Sequence, residues 1–396
     1  MTIRPWMLAA LLLFVAPAAT PAQPPTRATG EVVPRDVREM YDRGLQYLAS
    51  SQSENGTWTG GADTGPGGTG IALMAFLASG EDPNFGLYST QVRRALRSIV
   101  GGQDAQTGFL GGQDAQTGIA GRASMYHHGF AMLALAEAYG AVDERTVWPD
   151  GKAPRTIGQA LELAVRAAVT SQKTNPFGGW RYSPTARDAD TSVSGAVAVG
   201  LLAARNAGIE VPDESVDKAV AYYTTMTSAG GDVAYAGIGA MGDSVARTSI
   251  AALVYALARR RDLPQFKATL GNLTGNLEQT SMSYLEYARY YQAQALFQGD
   301  VEAWEKWNKL LVRQLKQAQN PDGSFRGQYG PAFSTSICLR ISPSLFLPSR
   351  SSARSTASSG SRRGIATGLC ASRPASSSPC SRRNCSTLSF RVFSSR

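Results

Sequence analysis

The sequence predicts an all-α protein made of six helical hairpins, and three observations predict it. Segments that carry an apolar stripe among charges alternate with segments that are apolar nearly all round and rich in Ala and Gly. The joints between them repeat a pattern of Gln, a few residues, Gly, then an aromatic residue. It is found at Gln52, Gly56 and Trp58, and at Gln103, Gly108 and Phe109. It recurs at Gln172, Gly178-Gly179 and Trp180, and at Gln319, Gly323 and Phe325. The first three copies lie roughly 50–70 residues apart, the period of a two-helix repeat. Third, Gly ends several of the segments, while Pro212 and Pro264 stand near helix starts.

Each element follows from its own pattern. The first helix of each pair is expected at 36–51, 89–101, 154–171, 213–227, 263–277 and 300–318. In the first of these, Val37, Met40, Tyr41, Gly44, Leu45 and Leu48 form one stripe, as an outer helix packed on an inner layer needs. The second helix of each pair is expected at 68–79, 125–139, 191–207, 243–260 and 281–297, with a sixth starting near Pro331. The stretch 192–209 is apolar nearly all round, as a helix buried on most sides would be. In the joints, glycine permits a sharp turn, the glutamine amide caps orphan backbone groups, and the indole covers the junction. The tandem copies of GGQDAQTG at 101–108 and 111–118 lengthen a joint, and they lack the spacing of a calcium repeat.

The ends of the chain differ from the body. Residues 1–22 have Arg4, an apolar run at 7–16 and small residues after it, the pattern of a signal peptide cleaved after Ala22. The run is too short to span a bilayer, and no other transmembrane run follows. An exported protein, secreted or periplasmic, is therefore expected, with residues 23–35 as a linker and 36–338 as the folded body. From 339 to 396 the composition turns to Ser and Arg. This suits either a disordered cationic tail or a GC-rich gene read out of frame. The sixth inner helix is expected to be disrupted where this segment begins.

Charge and cysteine content exclude several functions. The chain carries a net charge of +9, but residues 338–396 hold ten Arg and no acidic residue. The remainder has 29 basic residues (39 minus 10) against 30 acidic ones, a net of −1. That removes the electrostatic case for nucleic acid. All four Cys (338, 370, 380 and 385) lie in the same last segment, so the body has no disulfide, thiolate metal site or cysteine nucleophile.

These residues resemble the squalene cyclase/protein prenyltransferase superfamily. The match to its QW repeat is close at Arg43-Gly44, Leu48, Gln52, Gly56 and Trp58, and partial at Gln172 to Trp180 and Gln319 to Phe325. The stretches 125–140, 178–209 and 290–300 resemble the exported single-toroid bacterial members. The resemblance covers about residues 36–338 and implies an α6/α6 toroid (barrel), with six parallel inner helices sharing one N-terminal rim. That rim would gather Tyr126, His127, His128, Trp180, Tyr182, Asp188, Asp190, Arg247 and Tyr284.

Triterpene cyclases of this superfamily carry an Asp-x-Asp-Asp motif whose middle Asp protonates the substrate. By residue match, Asp188 and Asp190 take its first two positions, as catalytic candidates, but Thr191 replaces the third Asp. Against that reading, Asp190 is the N-cap of the helix opening at Thr191. The superfamily's prenyltransferases need an Asp/Cys/His zinc site, which a cysteine-free body cannot form. Its complement-type thioester domains need a Cys near a Gln, equally missing. The two adjacent histidines point about 100° apart on a helix and do not converge on one metal. No cofactor and no metal are expected. The expected partner is an apolar, isoprenoid-like small molecule or a peptide, bound at the rim by Tyr126, His127, His128, Trp180, Tyr182, Arg247 and Tyr284. The alternatives are a cyclase-like enzyme with Asp190 as general acid, and a protein-interaction scaffold. Oligomeric state is not legible.

Overall fold

The computed structural model describes residues 34–58, 65–111, 120–237, 244–278, 284–327 and 330–341. The signal segment, most of the linker, the second GGQDAQTG copy and the Ser/Arg-rich tail from 342 onward lie outside the described residues.

Six outer helices carry the striped segments: α1 (Arg35–Ser51), α3 (Ser89–Gly101), α6 (Ile157–Lys173), α8 (Asp213–Met226), α10 (Pro264–Gly275) and α12 (Val301–Ala318). Six inner helices carry the apolar ones: α2 (Pro66–Leu77), α4 (Ala120–Ala138), α7 (Thr191–Asn206), α9 (Val245–Leu257), α11 (Leu285–Gly299) and α13 (Pro331–Ile341). A single extra turn, α5 (Glu144–Val147), capped by Asp143, sits in the α4–α6 connection. No apolar stripe announces it.

The inner helices touch in the order α2, α4, α7, α9, α11, α13, and α13 packs back on α2. The ring is therefore closed, and α1 meets α12 on its outside. Alternation of outer and inner helices leaves the inner six parallel. Their Ala and Gly content serves close approach. A Cβ on Gly129 of α4 would lie 2.5 Å from the Ala196 backbone of α7, so only glycine allows the two helices to meet there.

The repeated joint has one geometry. The Gln172 side-chain amide donates to its own turn at the Gly178 carbonyl (2.7 Å) and to the Ser215 carbonyl of α8, the next outer helix (3.0 Å). Ser215 donates its hydroxyl back to Gln172 Oε1. Gln52 bridges Gly56 and Gln91 of α3, and Gln103 bridges Gly108 and Ala160 of α6. Gln319 bridges Gly323 and Met40 of α1, which closes the circle. The turn glycines have positive φ, 86° at Gly56, and a Cβ there would strike the Arg94 carbonyl. The indole N–H groups of Trp58 and Trp180 donate to the Leu48 and Ala168 carbonyls of the preceding outer helices.

Two details differ from expectation. In the second joint the position of the aromatic residue is filled by Leu110, which is fully buried, whereas Phe109 turns aside onto the His128 ring, 5.2 Å between centroids. A further joint exists at Thr227, Gly231 and Val233, where an isolated bridge pairs Thr227 with Val233 and Gly231 abuts Ala268 of α10. It carries neither Gln nor an aromatic ring.

The last inner helix is described from Pro331 to Ile341, three residues past the boundary placed at 338. Arg340 on it reaches Glu137 near the C-terminus of α4 at 2.7 Å, with both side chains almost wholly buried. Burial pushes the Glu137 carboxyl upward, and the Arg340 charge opposes that push.

Candidate functional site

The joint between α6 and α7 brings an arginine and two carboxylates to the rim. Trp180 is buried and anchored at both ends: its indole N–H bonds Ala168, and its backbone N–H bonds the Ser194 hydroxyl of α7 at 2.8 Å. Anchoring Trp180 places Arg181 and Tyr182 at the mouth of the ring. The chain then returns through an exposed loop to Asp188 and Asp190, with the Asp190 N–H bonded to the Trp180 carbonyl.

Asp190 is fully buried and divides its carboxylate between two tasks. Oδ1 accepts from the Ser192 and Val193 backbone N–H groups at 2.9 and 2.8 Å, which is helix capping. Oδ2 makes no hydrogen bond and faces Arg181 Nε at 3.4 Å. Burial raises its pKa to about 6, against the two capping bonds and Arg181, which favour the charged form. Asp188 is exposed and pairs with Arg181 at 2.7 Å. Burial works against the charge on Arg181, but Asp188 and then Asp190 outweigh it.

Tyrosines surround this group. The Arg181 guanidinium lies 5.4 Å from the centroid of Tyr182 and 5.8 Å from that of Tyr235. The two phenol hydroxyls are 2.6 Å apart. Tyr126 packs against Tyr182 and, across the ring, against Tyr287, with centroids 6.3 Å apart in each case. One turn deeper, Phe130 meets Tyr290 at 6.2 Å. Because α4 and α11 stand opposite each other in the six-membered ring, these contacts cross the lumen. Aromatic side chains of α4 and α11 meet across it beneath the partly buried Tyr126, Tyr182 and Tyr235.

The remaining candidates stand elsewhere. His128 is fully buried: Nδ1 accepts from the Leu110 N–H and Nε2 faces the Ala164 carbonyl, both at 3.0 Å, so Nε2 carries the proton. It receives the second joint as the Ser194 hydroxyl receives the third and the Thr335 hydroxyl receives Phe325. His127 packs against the entrance of α2 at Gly65 and Gly67. Burial lowers both histidines to about 4. Trp180 has no free polar edge to offer a ligand. Arg247 donates Nε to the Val233 carbonyl at 2.7 Å. Tyr284 is the N-cap of α11, in the left-handed conformation and half exposed. Among the described residues no group of three or more His, Cys, Asp or Glu side chains gathers to hold a metal. No helix among them is long and apolar enough to cross a membrane.

Arg181 and Tyr235 were not singled out by sequence reasoning. Arg181 follows the repeat's aromatic directly, which was a usable signal. Tyr235 reaches the site from the joint without Gln, which concealed it.

Comparison with solved structures decides the fold. A variant of the type II terpene cyclase MstE from Scytonema, bound to geranylgeranyl dihydroxybenzoate, superposes with a TM-score of 0.53. It is 14% identical, over 78% of this chain and 97% of that one. A ligand-free variant of the same cyclase gives 0.53 at 15% identity, over 78% and 96%. The cellobiose 2-epimerase of Bacillus thermoamylovorans B4167 gives 0.52 at 11% identity, over 77% and 98%. The fold is the α/α toroid that these structures share. No family model matches the sequence, and no curated protein matches it.

Proposed function

We propose that the protein is an exported binding toroid that holds a peptide segment on the tyrosine floor of its rim and does not transform it. The observation that carries this reading is the crossing of the lumen by Tyr126–Tyr287 and Phe130–Tyr290. An isoprenoid chain needs depth, and these two ring contacts narrow the lumen between α4 and α11. A partly buried floor of rings and hydroxyls beside an ion pair suits a short peptide, which brings both apolar groups and hydrogen-bonding edges. The signal-peptide pattern of residues 1–22 supports export. Native mass spectrometry of the protein from its own exported fraction tests all of this. A chain beginning at Gln23 with a peptide adduct is expected. An isoprenoid-sized adduct overturns the peptide reading.

A second reading, a cyclase-like enzyme, is favoured by one observation. Asp190 is a buried carboxyl with a pKa raised to about 6, as a general acid requires. The neighbouring cyclase, in its own structure, holds a geranylgeranyl substrate. Against it, one oxygen of Asp190 is spent on capping and the other faces Arg181. Incubation with polyprenyl substrates decides: turnover lost in a folded Asp190→Asn variant supports the enzyme, and no turnover in the wild type removes it.

A further inference from the structure

Arg181 occupies a cage. Its guanidinium lies against two tyrosine faces, with a carboxylate on either side. The walls are built independently of the occupant. Trp180, one residue away, is pinned to α6 and α7, Asp190 is fixed by capping α7, and Tyr182 is tied to Tyr235. The occupant fits only in part. The fully buried Asp190 Oδ2 receives no hydrogen bond from it and stands at 3.4 Å. The Glu137–Arg340 pair closes to 2.7 Å.

A planar cation between ring faces with carboxylates at its edge is the arrangement that recognises a guanidinium group. Asp190 adds a buried, hydrogen-bond-free oxygen that a second, better-placed N–H donor would satisfy. Asp188, exposed on the loop, is able to follow either occupant. We propose that this cage is a recognition site for an arginine side chain of the peptide ligand, and that Arg181 is its built-in occupant. The proposal rests on the peptide-binding reading of the rim and names what that rim selects. Arg181 is tethered, so it competes at an effective concentration on the order of millimolar. A free arginine analogue therefore binds the wild-type protein weakly, and a peptide with further rim contacts displaces Arg181. Displacement swings Arg181 toward solvent and leaves the net charge of the cage unchanged.

The test removes the competitor. The Arg181→Ala variant of the mature chain is titrated with N-acetyl-arginine amide, with the uncharged N-acetyl-citrulline amide as control. Calorimetry and thermal unfolding are the readouts. Binding at least tenfold tighter than in the wild type is expected, with a rise in Tm from the arginine compound alone. Equal affinity in variant and wild type, or equal stabilisation by citrulline, overturns the proposal. If Arg181→Ala fails to fold, Tyr235→Leu serves. The proposal then requires that an arginine-containing peptide lose at least tenfold in affinity, and an unchanged affinity overturns it. The two readings fail separately. Peptides that bind the wild-type rim equally with arginine or citrulline retain the binding function and refute the cage. Rescue of Arg181→Ala by the arginine amide, with no peptide binding to the wild type, retains the cage and refutes the function.

Discussion

Two arginine–carboxylate pairs lie at opposite ends of the same ring, and they differ in almost every respect. At the C-terminal end of the inner helices, Arg340 and Glu137 are both buried and meet at 2.7 Å. At the rim, Arg181 is partly exposed, splits its charge between two carboxylates, and leaves the buried one at 3.4 Å. The far pair is buried, with Tyr290 as a further neighbour of Arg340 and no second charge to replace Glu137, so neither member tolerates loss of the other. The rim pair has an alternative on every side: solvent for Arg181, helix capping for Asp190, and protonation near pH 6. One pair fastens the ring and the other is exchangeable. Function is expected where exchange is cheap.

Breaking the far pair gives the largest effect. Glu137→Leu strands Arg340 and is expected to cost about 3–5 kcal/mol in denaturant unfolding. Adding Arg340→Met is expected to restore most of it, because two apolar groups need no partner. If the single variant costs no more than a surface change, the contrast between the two ends collapses.

Protonation comes next. His127 and His128 are held neutral, with folded pKa values near 4 below the ordinary 6.5. The unfolded chain binds more protons between these values, so stability is full above pH 6.5 and falls as pH drops toward 4. For His128 the loss is about 3 kcal/mol. Asp190 works in the opposite sense. Its folded pKa, about 6, lies above the unfolded 3.8, so its contribution is full below pH 3.8 and lost as pH rises through 6. Unfolding free energies across pH 4–7 are therefore expected to show Asp190→Asn gaining about 2 kcal/mol relative to wild type as pH rises. Asparagine keeps the cap. A parallel pair of pH curves sinks this account of the rim carboxylate.

Neutral bonds sharpen the contrast further. Gln172→Ala leaves the Gly178 and Ser215 carbonyls without their donor, at an expected cost of about 1–2 kcal/mol in thermal or denaturant unfolding. Arg181→Ala, by comparison, is expected to cost about 1 kcal/mol at pH 5 and more at pH 8, where Asp190 stays charged. If Arg181→Ala proves more harmful than Gln172→Ala at pH 5, the rim pair is structural after all.

Much of this was legible in the residues because helix periodicity and turn chemistry are local. The outer helices at 89–101 and 213–227 match α3 and α8 to within a residue. Gln172, Gly178 and Trp180 mark a joint whose turn is closed by a bond spanning six residues, Gln172 to Gly178. Joints read less well where a different residue meets the same need. Val233 and Leu110 cover a junction without a ring, and Thr227 takes the place of a glutamine. The site was half legible. Asp188 and Asp190 stand in one short motif, but the carboxylate that Arg181 meets and the Tyr235 face above it are set by tertiary packing. Arg340 was assigned to the tail by composition. Its partner lies 203 positions away, beyond the reach of any local pattern.

The closed ring also constrains how the chain reaches its native state. Gln319 bonds Met40 across 279 positions, and α13 covers α2 from the end of the described chain. A linear repeat array gains stability with each unit added and can be capped anywhere. This ring cannot. Until its last helix arrives, α1 and α2 hold an uncovered apolar face, and closure must overcome the entropy of nearly the whole chain. The ring is thus sealed by contacts between its two ends, so losing α13 would open the barrel at α2 as well as shorten it.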